Sequence, residues 1–170
     1  DVYKRQALIQ KLKLSNVTNR LTVMQSSGGV LDAESCLQKP AHIVECGPAA
    51  GVVGAEYIAK RSGFDNVITL DMGGTTAKAS IIEGGKYTLA DEYEVGGGMS
   101  SSSALVGKGG YALKLPVIDI AEVGAGGGSI AWLDGVGSLK IGPESAGALP
   151  GPACYGLGGE RPTVTDANLV

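Results

Sequence analysis

The chain has 170 residues, with 14 Lys+Arg against 17 Asp+Glu, a formal net charge of −3, 44% hydrophobic and 18% charged residues; this is the balance of a folded domain, not of a disordered chain. A mildly acidic sequence without a Lys/Arg run is a poor nucleic-acid binder, and no apolar stretch approaches the ~20 residues of a membrane span. Three separated cysteines (Cys36, Cys46, Cys154) and one histidine (His42) leave no disulfide framework, no C-x-x-C zinc site and no multi-histidine metal centre.

In chain order, Ala7–Leu12 reads as the tail of an amphipathic helix. Leu21–Gln25 is a short strand stopped by Ser26-Ser27-Gly28-Gly29, and Leu31–Gln38 a short helix with Asp32 near its start and Pro40 past its end. Gly47-Pro48 opens a longer helix to about Arg61, with Gly63 as its stop. The small residues of its early face, Ala49 to Ala55, predict a close packing partner. Asn66–Met72 is predicted as a buried strand, Gly73-Gly74-Thr75-Thr76 as a turn, and Ala77–Ile82 as a second strand. Gly84-Gly85 is a hairpin signal, with Lys86–Ala90 returning. Gly96–Gly110 is of low complexity and reads as a flexible loop. Leu115–Val123 is a strand, Ile130–Leu133 and Leu139–Ile141 form a hairpin, and Gly142–Gly159 is a Gly/Pro-rich loop. The end, Thr165-Asp166-Ala167-Asn168-Leu169-Val170, resembles a helix start with Thr165 or Asp166 as cap, so residues 1–19 are expected to be a helix tail or non-native start and 20–170 a partial domain cut at both ends. The opening residues show no signal-peptide pattern and the cysteines suit a reducing compartment, so a cytoplasmic setting is expected.

Glycine is the compositional anomaly: 28 of 170 residues, about 16% against ~7% in ordinary proteins. Its clusters mark places where backbone approaches something closely. In Leu70-Asp71-Met72-Gly73-Gly74-Thr75-Thr76 a carboxylate ends an apolar strand, where burial is costly unless the charge is used. Two glycines then let backbone N–H groups converge on an anion, and two threonines add hydroxyls. That set suits a magnesium nucleotide, with Asp71 for the metal; the alternative is a tight hairpin turn capped by Asp71. No Gly-Lys-Ser/Thr occurs, so it is not a Walker A loop. Val123 to Ser129 approaches the dinucleotide fingerprint, but a strand pattern follows it, which disfavours a Rossmann unit; the alternative is a turn where two backbones meet. Asp119, in an apolar strand, is a candidate metal or substrate contact or a hydrogen-bonded structural carboxylate. His42 is expected to be structural, Cys154 a small buried residue without an activating cation, and Trp132 part of the core.

Seven ordered motifs resemble the hydantoinase A/5-oxoprolinase family, which includes N-methylhydantoinase and acetone carboxylase β-type subunits. They are Met24-Gln25-Ser26-Ser27-Gly28-Gly29, Gly47-Pro48-Ala49-Ala50-Gly51, Asp71 to Thr76, Val123 to Trp132, Gly142 to Ala148, Pro150 to Gly156 and Thr165 to Asn168. The resemblance covers about residues 20 to 170. It implies an α/β fold of the actin/heat-shock/sugar-kinase ATPase type, with a mixed sheet, β-hairpins and flanking helices. It implies ATP and Mg2+ as cofactors, with Asp71 to Thr76 as a second phosphate loop and the first loop upstream. Gly73, Gly74, Thr75, Thr76, Gly126, Gly127, Gly128 and Ser129 are the implied cofactor contacts, Asp71 and Asp119 the implied catalytic carboxylates, and Asp71 the implied metal ligand. The implied reaction opens a cyclic amide after phosphoryl transfer to a substrate oxygen, with a hydantoinase B-type partner. The alternatives are a ketone carboxylase subunit, a chaperone-like nucleotide-binding module, or a scaffold whose glycines only make turns.

Three positions depart from the family pattern. Asp119-Ile120-Ala121-Glu122-Val123 stands where Asp-Ile-His-Thr-Val is common, Ala77-Lys78 replaces the end of Gly-Gly-Thr-Ser-Thr-Asp, and Leu149 stands where an Asp is common. Glu122 is a candidate replacement for the histidine, and Lys78 a candidate phosphate contact or a solvated side chain.

Overall fold

The structure is a computed structural model and describes residues 2–17, 21–95 and 111–170; the expected Gly96–Gly110 loop lies outside the described residues. The elements are α1 (Val2–Leu14), β1 (Thr22–Met24), β2 (Val30–Asp32), α2 (Ala33–Gln38) and α3 (Cys46–Arg61). There follow β3 (Val67–Met72), β4 (Ala77–Glu83), β5 (Lys86–Tyr87), β6 (Leu89–Ala90), β7 (Tyr93–Val95), β8 (Tyr111–Leu113), β9 (Val117–Ile118) and β10 (Ala121–Val123). The chain closes with β11 (Ser129–Leu133), β12 (Leu139–Ser145) and α4 (Val164–Ala167). This is a mixed α/β architecture, and the pairs β1–β2, β4–β5, β4–β10, β6–β9 and β11–β12 are all antiparallel. Among the described residues no helix is long and apolar enough to cross a membrane.

Two compact units divide the chain: Asp1–Val67 with Ile82–Tyr93 and Ala112–Asp119, and Ile68–Ile81 with Glu94–Tyr111 and Ile120–Val170. In the first unit the apolar core gathers Cys36, Ala49, Val52, Ile82, Val117 and Ile118, all buried. The Ser-Ser-Gly-Gly segment earns its place through Ser26. Its N–H and hydroxyl both donate to the His42 carbonyl, at 2.7 and 3.0 Å, and its own carbonyl accepts from Ile118 N–H at 2.8 Å. The buried serine thus joins β1, the segment before α3 and β9 without leaving a polar atom unpaired. Asp32 caps α2 by accepting from Ser35 N–H at 2.9 Å.

Several expectations for this unit need correcting. Val30–Asp32 is a strand and only Ala33–Gln38 is helix, because Val30–Asp32 pairs in register with β1. His42 lies in a 3-10 helix, Pro40–Ile43, a turn that the sequence reading did not include. Helix α3 and its stop, Gly63 at φ +79°, are as the sequence predicts. The small-residue face packs as expected at Ala49 and Val52, which are buried, but not at its glycines: among the described residues a Cβ on Gly47, Gly51 or Gly54 would meet nothing within 4 Å. The Leu115–Val123 strand is two strands, β9 pairing with β6 and β10 pairing with β4. The break falls at Asp119-Ile120, where the chain changes sheets.

In the second unit β3, β4 and β10 lie side by side in the order β10-β4-β3, and β11 and β12 form a separate hairpin. Strand β3 is not buried: Ile68 and Leu70 are 76% and 71% exposed. An apolar run is compatible with burial but does not supply the partner that covers it. The hairpin β11–β12 is longer than expected, since Gly142–Ser145 continue β12. Trp132 is part-exposed, its indole N–H donating to the Gly142 carbonyl at 2.7 Å. Thr163, not Thr165 or Asp166, caps α4. Its side chain accepts from Asp166 N–H while the Asp166 carboxylate accepts from Thr163 N–H, a reciprocal capping box.

Candidate functional site

The second unit holds the turn between β3 and β4. Gly73 N–H donates to the Thr76 carbonyl at 2.9 Å and closes it. The backbone N–H groups of Gly74, Thr75 and Thr76 make no hydrogen bond among the described residues, and neither do the two threonine hydroxyls. Gly74 and Thr75 are exposed and Thr76 is half-buried, so two of these three unpaired donors sit on exposed residues. Asp71, expected to be buried, is exposed at the end of an uncovered strand, and its carboxylate has no hydrogen bond or ion pair among the described residues. Its availability therefore comes from exposure and not from a costly burial.

Gly126–Ser129 is the loop that this turn rests on. Gly127 N–H donates to Gly73 O at 2.9 Å, and Gly128 N–H to Gly74 O at 2.7 Å. Gly126 N–H donates to the Ser129 hydroxyl at 2.8 Å, and Ser129 N–H to Gly126 O at 3.0 Å. All four amides are thus engaged within the protein, so none of them is left as a donor for a cofactor. The open alternative, two backbones in close approach, is what the geometry holds. A Cβ on Gly126 would lie 2.6 Å from Gly73 O, Thr75 N and Thr76 N, and one on Gly128 would lie 2.9 Å from Gly74 O. Only residues without a side chain fit there.

Thr165 braces that loop from behind. Its N–H and its hydroxyl both donate to the Gly127 carbonyl at 2.8 Å. Asp166 anchors the segment, its carboxylate accepting from Cys154 N–H at 2.8 Å and Thr163 N–H at 2.7 Å. These bonds, the Cys154 amide first, hold the Asp166 carboxyl well below the usual carboxylate range. The same carboxylate, hydrogen-bonded to the Cys154 thiol, pushes that thiol up. Cys154 is exposed, not buried as expected. Sequence reasoning missed Thr163, Thr165 and Asp166 as a linked set. The signal was present in Thr163-x-x-Asp166, a capping-box spacing that fixes Thr163 as cap and frees Thr165 for Gly127.

Lys78 forms an ion pair with Glu122 at 3.2 Å, its direct cross-strand partner on β10. The two departures from the family pattern are therefore one interaction. Asp119 belongs to the other unit: it follows β9, its N–H donates to Thr88 O at 2.9 Å, and its side chain is exposed rather than buried in a strand. Among the described residues no three His, Cys, Asp or Glu side chains cluster as a metal site would require.

A sequence model of the hydantoinase/oxoprolinase family matches residues 3–170. An uncharacterised protein of Methanocaldococcus jannaschii is 48% identical over 162 residues, 95% of this chain and 24% of that protein. Caprolactamase subunit alpha of Pseudomonas jessenii is 41% identical over 145 residues, 85% of this chain and 19% of the subunit. The crystal structure of the ATP-dependent caprolactamase from that organism matches with a TM-score of 0.62 at 36% identity, over 99% of this chain and 22% of that one. A nucleotide-free acetone carboxylase structure, from work on ATP-dependent acetone carboxylation, matches with a TM-score of 0.73 at 27% identity, over 97% of this chain and 21% of that one. The chain thus spans about a quarter or less of the relatives it matches.

Proposed function

The chain belongs to the hydantoinase/oxoprolinase family, and on that premise we propose that it contributes the phosphate-binding turn of an ATP-dependent cyclic-amide hydrolase with an actin/heat-shock/sugar-kinase type of ATPase fold. One observation carries this reading: among the described residues the successive N–H groups of Gly74, Thr75 and Thr76 are unpaired, on a turn that begins two residues beyond the likewise unpaired carboxylate of Asp71. Adjacent open amides favour an anion. A carboxylate beside them suits a magnesium ion, which takes one or two protein carboxylates and fills its remaining positions with phosphate oxygens and water.

The division of labour follows from which donors are open. Gly74, Thr75 and Thr76 hold phosphate oxygens through their N–H groups, and the threonine hydroxyls add two donors. Asp71 holds the metal or one of its waters. Gly126, Gly127, Gly128 and Ser129 support the nucleotide indirectly, by fixing the turn. Bound magnesium nucleotide supplies the transferable phosphoryl group and the neutralising charge. Transfer to the amide oxygen, with ADP leaving, would activate the carbonyl carbon toward water, and ring opening would release the amine, the carboxylate and inorganic phosphate. On the family resemblance Asp119 keeps its role as a catalytic carboxylate of the complete enzyme, and a B-type partner supplies the rest of the amide site. The relatives named as subunits support the partner, and the free cysteines are in keeping with a cytoplasmic setting.

A ketone carboxylase is the second reading. It is favoured by the higher TM-score to acetone carboxylase, 0.73 against 0.62, whereas sequence identity favours the amide reading. The test is magnesium-dependent ATP hydrolysis by the complete polypeptide carrying these residues, with its partner subunit. One arm contains cyclic amides and the other ketone plus bicarbonate. Stimulation by the amides alone is expected; stimulation by ketone and bicarbonate alone moves the assignment to the carboxylase. Failure to bind ATP at all removes the nucleotide reading.

A further inference from the structure

The Thr165–Asn168 motif is not used by the reading above, yet Thr165 is two hydrogen bonds away from the open amides. We infer that Thr165 is a positioning residue for the phosphate-binding turn, acting through Gly127; the inference rests on the nucleotide reading. The Gly127 carbonyl receives both the N–H and the hydroxyl of Thr165 at 2.8 Å. The next links run from Gly127 N–H to Gly73 O and from Gly128 N–H to Gly74 O. In a planar trans peptide the C=O and N–H point in opposite directions. Pinning the carbonyls of Gly73 and Gly74 to the loop beneath therefore directs the Gly74 and Thr75 N–H groups away from that loop, the orientation a bound anion needs. Thr165 sits firmly enough to do this, because the capping box and the Cys154 contact fix Thr163 and Asp166 on either side of it. The loop has little room to slide: a Cβ on Gly127 would lie 2.7 Å from the Thr165 hydroxyl oxygen.

Two substitutions separate positioning from packing. Thr165→Val keeps the shape and loses the hydroxyl; Thr165→Ser keeps the hydroxyl and loses a methyl group. A packing role ranks valine above serine, and a hydrogen-bonding role ranks serine above valine. We would measure the Kd for Mg-ATP of the complete polypeptide by calorimetry, together with Tm. The expected result is a three- to tenfold weaker Kd for Thr165→Val, the scale of one lost hydrogen bond. Thr165→Ser should stay within about twofold of the parent, and both variants should melt close to it. Valine binding as well as the parent, or better than serine, overturns the inference while the nucleotide reading stands. A Kd loss in Thr165→Val matched by a fall in Tm that serine shares overturns it as well, since that marks a general loss of structure. A parent that binds no Mg-ATP overturns both readings together.

Discussion

Two glycine-rich loops meet in the second unit, and they use glycine for opposite ends. In Gly73–Thr76 residues 73 to 75 are exposed, and the donors at 74 to 76 are unpaired among the described residues. In Gly126–Ser129 every amide is engaged, and the glycines are there because another backbone lies where a side chain would be. The composition of the two loops is similar; their hydrogen bonding is not. A glycine cluster therefore marks close approach, but whether the approaching group is a ligand or the protein itself depends on which N–H groups remain unpaired.

Substitutions can break that comparison. Asp71→Asn should leave stability within about 0.5 kcal/mol, as for other exposed residues without structural partners. It should lower magnesium-dependent ATP turnover by about 10²-fold, the scale of one preorganised electrostatic partner. Unchanged turnover in steady-state assays would remove Asp71 from the site. Gly126→Ala should cost about 1–3 kcal/mol in denaturant unfolding, because the new Cβ meets three backbone atoms and no flexible side chain can give way. Gly74→Ala, with nothing within 4 Å of its Cβ, should cost less than ~0.5 kcal/mol. Equal costs at the two positions would mean that the loops do not differ as described. Thr163→Ala removes the α4 cap and should cost about 1 kcal/mol, with weaker Mg-ATP binding following through Thr165.

The smallest effect is an acid transition at α4. The Asp166 carboxyl lies below its ordinary 3.8 in the fold. Its contribution to stability is therefore fully present above that ordinary value and is lost as pH falls through the folded value. Unfolding curves taken from pH 5 downward should show this loss in the parent. The Asp166→Asn difference should shrink across the same range, and a difference independent of pH would contradict the assignment.

Local chemistry made much of this fold legible. Gly84-Gly85 at positive φ turns β4 into β5, Gly63 stops α3, and Gly73–Thr76 joins β3 to β4, each set by residues a few positions apart. Contacts distant in sequence did not show. Val30–Asp32 reads as part of a helix until β1 pairs with it, and Leu115–Val123 reads as one strand until two different sheets claim its halves. The exposure of β3 was illegible for a related reason, since Ile68 and Leu70 announce a preference for burial without naming what would cover them. At the site, the sequence pointed to both glycine loops but could not say which amides were open. That difference depends on contacts between Gly73-Gly74 and Gly127-Gly128, more than 50 residues apart.

Amide hydrogen exchange on the complete polypeptide, followed with and without Mg-ATP on peptides covering residues 72–77 and 125–129, tests the contrast most directly. The expected result is fast exchange at 74 to 76 that slows when Mg-ATP binds, with 127 and 128 protected in both conditions. Bound Mg-ATP that leaves 74 to 76 unprotected, or that adds protection only at 127 and 128, would contradict the assignment of the open amides to phosphate.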